Sequence, residues 1–104
     1  MTVNMIETDL GTVGFAKALA DDTRQQIMAI CCCRLISVSD IVAELNVAQP
    51  TVSHHLKILK SAGLVASERR GKQVLYTLDQ ARLAAACCQV AEDFAPEYPI
   101  EMTV

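Results

Sequence analysis

Apolar residues recur at intervals of three and four in five segments of the chain, and they alternate with polar residues in one further segment. The three- and four-residue spacing predicts amphipathic helices. We place them at Thr8 to Ala20 and at about residues 21–33, 37–46, 49–62 and 79–95. Asn46 and Gly63 follow the third and fourth helices, and both residue types favour the left-handed backbone that ends a helix.

The helix starts are marked by residues that cap helices. Asp21, Ser37 and Asp79 each stand at the start of a helical segment, where their side chains can accept a hydrogen bond from a free backbone N–H group. Pro50 stands in the first turn of the fourth helix, where a missing N–H group is tolerated. Because only a few residues separate the third and fourth helices, we predict a helix-turn-helix pair.

Two strand-like runs flank Arg70-Gly71-Lys72 within residues 64–78. This pattern predicts a β-hairpin with a basic tip. The predicted fold class is therefore mainly α with a small β-hairpin. One domain spans residues 1–95, and residues 96–104, which contain Pro96 and Pro99, form a short tail.

Basic residues are concentrated in one part of an acidic chain. The formal net charge is −3, yet the segment from Gln49 to Lys72 contains five basic residues and the single acid Glu68, a local charge of +4. On the fourth helix Val52, Leu56 and Leu59 share one face, and the opposite face carries no carboxylate. Such segregation indicates a surface that binds a polyanion such as nucleic acid.

At these positions the chain resembles the ArsR/SmtB family of winged helix-turn-helix repressors. The resemblance covers about residues 14–95. Its matching residues are Ala18-Leu-Ala-Asp-Asp-Thr-Arg24, Gln49-Pro-Thr-Val-Ser-His-His-Leu-Lys57, Leu59, Gly63-Leu-Val65, and Arg70-Gly-Lys72 with Tyr76. It implies a homodimer that packs through its first and last helices. It also implies a recognition helix in the major groove of operator DNA and a wing beside the minor groove.

The two halves of the basic segment are expected to contact DNA differently. Base edges carry sequence information, whereas phosphates fix position. We expect base-edge contacts from Gln49, Ser53, His54 and Lys57, and phosphate contacts from Lys60, Arg69, Arg70 and Lys72. His55 is expected to pack at the edge of the core.

The chain departs from this family where the inducer binds. The best-known arsenic sensors of the family carry Cys-Val-Cys-Asp-Leu-Cys at the start of the third helix, and the aligned run here, residues 37–42, is Ser-Val-Ser-Asp-Ile-Val. The zinc site on the last helix of related sensors needs Asp and His ligands, and the last helix here has no histidine. Both of these sites are therefore missing.

Five cysteines stand elsewhere, in two clusters: Cys31, Cys32 and Cys33, and Cys87 and Cys88. The start MTVNMIETDL lacks the features of a signal peptide, and no apolar run reaches the roughly 18 residues of a membrane span. We therefore expect a cytoplasmic protein without a membrane partner. Thiols stay reduced in that compartment, so clustered cysteines indicate metal binding or redox activity.

The end of the second helix and the middle of the last helix can lie close together in such a fold. We expect the clusters to form a relocated sensing site, because soft thiolates select thiophilic ions. The family resemblance implies trivalent arsenic or antimony, as arsenite or antimonite, held by three thiolates in a pyramid. Cys32 and Cys33 are the preferred ligands, whereas Cys31 and Cys87 continue apolar stripes and can equally be core residues.

Three other functions use the same thiols. Some members of this family sense persulfides or oxidants through one cysteine in the second helix and one in the last, and cadmium or lead would also suit thiolates. A small thiol oxidoreductase belongs to a different class. It is disfavoured because no C-x-x-C motif or βαβ pattern is present. Since no catalytic arrangement stands out either, we do not predict an enzyme.

Overall fold

The computed structural model describes residues 11–98, and within them the chain forms five α-helices and three β-strands. The elements are α1 Thr12–Leu19, α2 Asp22–Cys31, β1 Ile36–Ser37, α3 Val38–Leu45, α4 Gln49–Ser61, β2 Val65–Arg70, β3 Gln73–Leu78 and α5 Gln80–Phe94. None of these helices combines the length and the apolar character that crossing a bilayer requires. The mainly helical fold class with a small β-hairpin is confirmed.

One core lies between α2, α3, α4 and the sheet. Its fully buried side chains are Ile27, Cys31, Ile41, Val52, Leu56, Leu59 and Leu64. Most are spaced by three, four or seven residues along their helices, as amphipathic helices require. Burial of its apolar side chains therefore determines which face of α4 points inward. Its polar face points toward solvent as a result.

The three predicted N-terminal caps and the predicted ends of α3 and α4 are confirmed. The side chains of Asp21, Ser37 and Asp79 each accept a hydrogen bond from the backbone N–H group three residues later, at 2.9, 3.2 and 3.1 Å. Asn46 and Gly63 have φ angles of 57° and 79°. Ser37 and Asn46 delimit α3, and Gly63 follows the end of α4. These two helices form the predicted helix-turn-helix pair.

The sheet has three antiparallel strands in the order β1-β3-β2. Strands β2 and β3 form the predicted hairpin, in which Arg70 pairs with Gln73 and Gly71 takes a φ of 62°. Strand β1 was not predicted, because two residues are too few to show a periodicity. It pairs Ile36 with Tyr76 and so attaches the segment after α2 to the hairpin.

Two helix boundaries differ from the prediction. Helix α2 ends at Cys31, whereas the sequence suggested about Cys33, because Cys32 is extended and Cys33 has a φ of 70°. Helix α1 begins at Thr12, and the earlier start at Thr8 lies outside the described residues. The proposed domain range likewise includes residues 1–10, which the structure does not describe.

Candidate nucleic-acid interface and thiol cluster

The polar face of α4 is open to solvent. Gln49, Ser53, His54, Lys57 and Lys60 are all exposed, while Val52, Leu56 and Leu59 on the opposite face are at most 1% exposed. The face offers amide, hydroxyl, imidazole and ammonium groups, which can form hydrogen bonds with base edges and phosphates. The structure thus places these five predicted residues along the exposed side of one helix.

The hairpin adds a second basic surface beside α4. Arg69, Arg70 and Lys72 are exposed at its tip, and Arg70 Nε lies 2.6 Å from Glu68 Oε2. Lys60 Nζ donates a 2.6 Å hydrogen bond to Ser67 Oγ. Lys60 therefore links the end of the recognition helix to the wing, an interaction that the sequence pattern did not reveal.

Arg24 on α2 contacts both α1 and α4, and sequence reasoning gave it no role. Its guanidinium donates to the backbone oxygens of Ala18 at 2.7 Å and Lys17 at 2.9 Å, and Nη1 lies 3.1 Å from His55 Nδ1. Because arginine can only donate, Nδ1 of His55 is the acceptor. His55 is half-buried, whereas the neighbouring His54 is exposed.

The first cysteine cluster lies where α2 ends, and its members differ in environment. Cys31 is buried, whereas Cys32 and Cys33 are exposed. The Sγ atoms of Cys32 and Cys33 are 3.1 Å apart. In a regular helix adjacent side chains would point about 100° apart. These two meet because the chain leaves the helix at Cys32 and turns left-handed at Cys33.

The pKa values of the Cys31 and Cys32 thiols are both raised above the ordinary value of 9.0. Burial raises the pKa of Cys31 to about 11. The hydrogen bond with Cys33 is the main cause that raises the pKa of Cys32. Cys31 is 0% exposed within the core, so it is better suited to packing than to binding a soft ion, which requires the thiolate.

Within the part of the chain that the structure describes, the second cluster, on α5, does not combine with the first into a metal site of three or more ligands. Among residues 11–98, no group of three or more His, Cys, Asp or Glu side chains is placed to hold a metal ion. The neighbour of Cys33 is Gln80, whose Nε2 lies 3.5 Å from Sγ. Cys87, which is exposed, and Cys88, which is half-buried, stand further along the helix, about 10 Å on from Gln80 at 1.5 Å per residue.

The raised pKa of Cys31 predicts a stability loss at alkaline pH. Unfolding returns the thiol to its ordinary pKa of 9.0 from about 11. Below pH 9 the protonated thiol contributes its full share to the free energy of unfolding. As the pH rises from 9 toward 11, the free energy of unfolding falls by up to about 2–3 kcal/mol. Urea unfolding of wild type and Cys31→Ala between about pH 8 and pH 11 measures this. Parallel pH profiles for the two proteins would contradict it.

Comparisons with known proteins give consistent matches. A sequence profile described as "Bacterial regulatory protein, arsR family" matches residues 21–67. The transcriptional repressor SdpR of Bacillus subtilis is 35% identical over 63 residues, which are 61% of this chain and 70% of SdpR. The HTH-type transcriptional regulator CmtR of Mycobacterium tuberculosis is 33% identical over 92 residues, which are 88% of this chain and 76% of CmtR.

A solved structure shows the same fold. It is the solution structure of the homodimeric winged helix-turn-helix DNA-binding domain of Mb0332 from Mycobacterium bovis, described as a possible ArsR-family transcriptional regulator. It superimposes with a TM-score of 0.64 at 28% identity and covers 97% of each chain.

Proposed function

The chain belongs to the arsR family of bacterial regulatory proteins, and from this premise we propose that it is a homodimeric transcriptional repressor of the cytoplasm. In this proposal the dimer binds operator DNA and leaves it when trivalent arsenic or antimony binds cysteine thiolates. We propose no catalytic activity, since the exposed groups of the site are suited to binding.

The DNA-binding proposal rests on the basic side chains that α4 and the hairpin present on one surface. The exposed face of α4 and the tip of the hairpin together present Lys57, Lys60, Arg69, Arg70 and Lys72. Glu68 is the one acid between Gln49 and Lys72, and it is paired with Arg70. This surface matches the negative charge of a DNA backbone, which supplies most of non-specific affinity.

A homodimer is supported by the apolar groups that one protomer leaves exposed. Helix α5 has no fully buried side chain, and its Leu83 and Val90 are only partly buried against the core. Phe94 is 75% exposed, and Val13 on α1 is 67% exposed. The start of α1 and the end of α5 meet, because Thr12 Oγ1 donates to Asp93 Oδ2 at 3.4 Å. A second copy of the chain would cover these groups.

The inducer proposal rests on the contact between Cys32 and Cys33. Two exposed thiols 3.1 Å apart can supply two of the three thiolates that a trivalent metalloid binds. We propose that Cys87 or Cys88, from either subunit of the dimer, supplies the third. A tetrahedral zinc site fits the chain less well, because the C-x₂₋₄-C spacing of such sites is missing.

The residues on either side of the thiol pair contact both of the proposed DNA-binding elements. Thr77 Oγ1 on β3 donates to the backbone oxygen of Cys31 at 3.4 Å, and β1 continues the wing sheet. Arg34 donates to both carboxylate oxygens of Glu44 on α3 at 2.8 Å. A ligand that moves Cys32 and Cys33 would therefore act on the wing and on the helix-turn-helix.

Titration of the reduced protein on labelled operator DNA tests the proposal. Arsenite, antimonite, cadmium, zinc and a persulfide donor are added separately, and DNA release is followed by fluorescence anisotropy. Arsenite and antimonite are expected to release the DNA at the lowest concentrations. Release by the persulfide donor alone would identify a thiol-redox repressor, and release by cadmium alone would identify a divalent-metal sensor.

The wing assignment predicts a uniform loss of affinity. Arg70→Ala removes a cation from the tip of the hairpin, so binding to all DNA sequences should weaken by a similar factor. The slope of log affinity against log salt should also fall by about 1. Arg82→Ala, an exposed arginine on α5, is the matched control. An unchanged salt slope for Arg70→Ala would refute the assignment.

The assignment of Ser53 and His54 to base-edge contacts predicts a loss of discrimination between DNA sequences. Ser53→Ala and His54→Ala remove groups that face base edges, and each substitution should cost about 1–3 kcal/mol of preference for the operator over a mismatched site. Competition binding with operator and scrambled DNA measures this preference. Ser61→Ala, at the other end of α4, should retain it. Equal losses on both DNAs would show that Ser53 and His54 contact phosphates.

A further inference from the structure

The conformation of Cys33 brings two neighbouring sulfurs into contact. Within the described residues, only Cys33 and Asn46 among non-glycine residues have a positive φ. Asn46 ends α3, where asparagine commonly adopts this conformation. Cysteine has no comparable preference, and such unusual backbone conformations cluster at functional sites. At Cys33 the result is the 3.1 Å contact between the two Sγ atoms.

From this contact we propose that Cys32 and Cys33 are a reversible oxidation site that closes a disulfide between adjacent residues of one protomer. The proposed oxidant is a small disulfide such as oxidised glutathione. The thiolate of one cysteine attacks it, a mixed disulfide forms and one reduced thiol leaves with a proton. The second cysteine attacks the mixed disulfide, its own sulfur bonds to the first, and a second reduced thiol leaves. Two protein thiols are oxidised and one disulfide is reduced to two thiols.

The geometry favours formation of the Cys32–Cys33 disulfide under oxidising conditions and its easy reduction afterwards. The sulfurs need to approach by only about 1 Å, from their present contact to the bond length of about 2.0 Å. Adjacent Cα atoms are about 3.8 Å apart, which is below the usual range for a disulfide. The ring is therefore strained, and strained, exposed disulfides are readily reduced and serve regulatory roles. Both sulfurs are exposed to an oxidant and to a reductant.

The disulfide would also control the inducer site, and this second step rests on the proposed function. A sulfur in a disulfide is no longer a thiolate, so it cannot bind a soft ion. Closing the ring removes two of the three proposed ligands at once. The oxidised repressor is therefore expected to stay on its operator in the presence of arsenite, and reduction is expected to restore release.

Tryptic mapping distinguishes this disulfide from one between the two clusters. The full-length protein is equilibrated in glutathione buffers of increasing oxidised fraction, free thiols are alkylated, and the protein is digested. Trypsin places Cys31, Cys32 and Cys33 in the fragment 25–34, and Cys87 and Cys88 in the fragment 83–104. The expected product is the separate fragment 25–34 with two hydrogens lost and one alkylated cysteine. Fragments 25–34 and 83–104 linked to each other would overturn the proposal.

Two variants complete the experiment. The double variant Cys87→Ser/Cys88→Ser should still lose two hydrogens in the fragment 25–34, whereas Cys32→Ser should not. If the ring forms and the oxidised protein still releases DNA at the wild-type arsenite concentration, the control of the inducer site is wrong. If the reduced protein ignores arsenite but the ring forms, the oxidation site holds and the metalloid proposal fails.

Discussion

Replacing Cys32 by serine is expected to leave operator binding intact and to abolish release by arsenite. Serine fills nearly the same space at an exposed position, so the fold and the DNA-binding surface should be retained. Its hydroxyl is a far poorer ligand for a soft ion than a thiolate. An inducer coupling of about 1–3 kcal/mol corresponds to a 5–150-fold change in operator affinity, and the variant should lose this change entirely.

Anisotropy titrations of arsenite on the preformed operator complex measure the effect. Cys33→Ser should behave in the same way, and Cys88→Ser should do so if Cys88 is the third ligand. Cys31→Ala is the matched control, since the neighbouring buried thiol should not be needed for release. If Cys32→Ser and Cys33→Ser both left the operator at the wild-type arsenite concentration, the thiol pair would not be the inducer site.

Local signals explain why most of the fold could be predicted. Asp21, Ser37 and Asp79 cap helices through hydrogen bonds to residues only three positions later. A short window of sequence therefore contains both partners of each bond. The two-residue loop at Gly71 likewise depends on its own residues and their immediate neighbours. Strand β1 could not be predicted, because it exists only through pairing with Tyr76 on a distant strand.

The candidate site was predicted less completely, for three physical reasons. The positive φ of Cys33 depends on how α2 ends against the sheet, which residue periodicity does not show. Cys31 continued an apolar stripe, but only its burial decides between packing and ligand binding. Arg24 and His55 are 31 residues apart, and no local pattern indicates that they meet. The exposed positions of α4 that we expect to face DNA were easier to predict, because the apolar side of α4 determines the opposite face.

Phe94→Asp is expected to break the dimer and to weaken operator binding at least a hundredfold. Phe94 is 75% exposed in the protomer, and covering an aromatic ring of about 150–250 Å² stabilises an interface by roughly 2–4 kcal/mol. Two-fold symmetry makes the same loss occur in both subunits. A monomer would present one recognition helix to an operator whose half-sites are expected about one helical turn, roughly 34–36 Å, apart.

Sedimentation velocity and operator titration measure the two consequences, and circular dichroism at matched concentration shows whether the variant remains helical. Gln26→Asp is the control, because it adds the same charge at an exposed position of α2 without removing apolar surface. Val13→Asp should reproduce the Phe94→Asp result, since the ends of α1 and α5 are joined by Thr12 and Asp93. If Phe94→Asp sedimented as a dimer with wild-type operator affinity, these helices would not form the interface, and a third thiolate from the partner subunit would lose its structural basis.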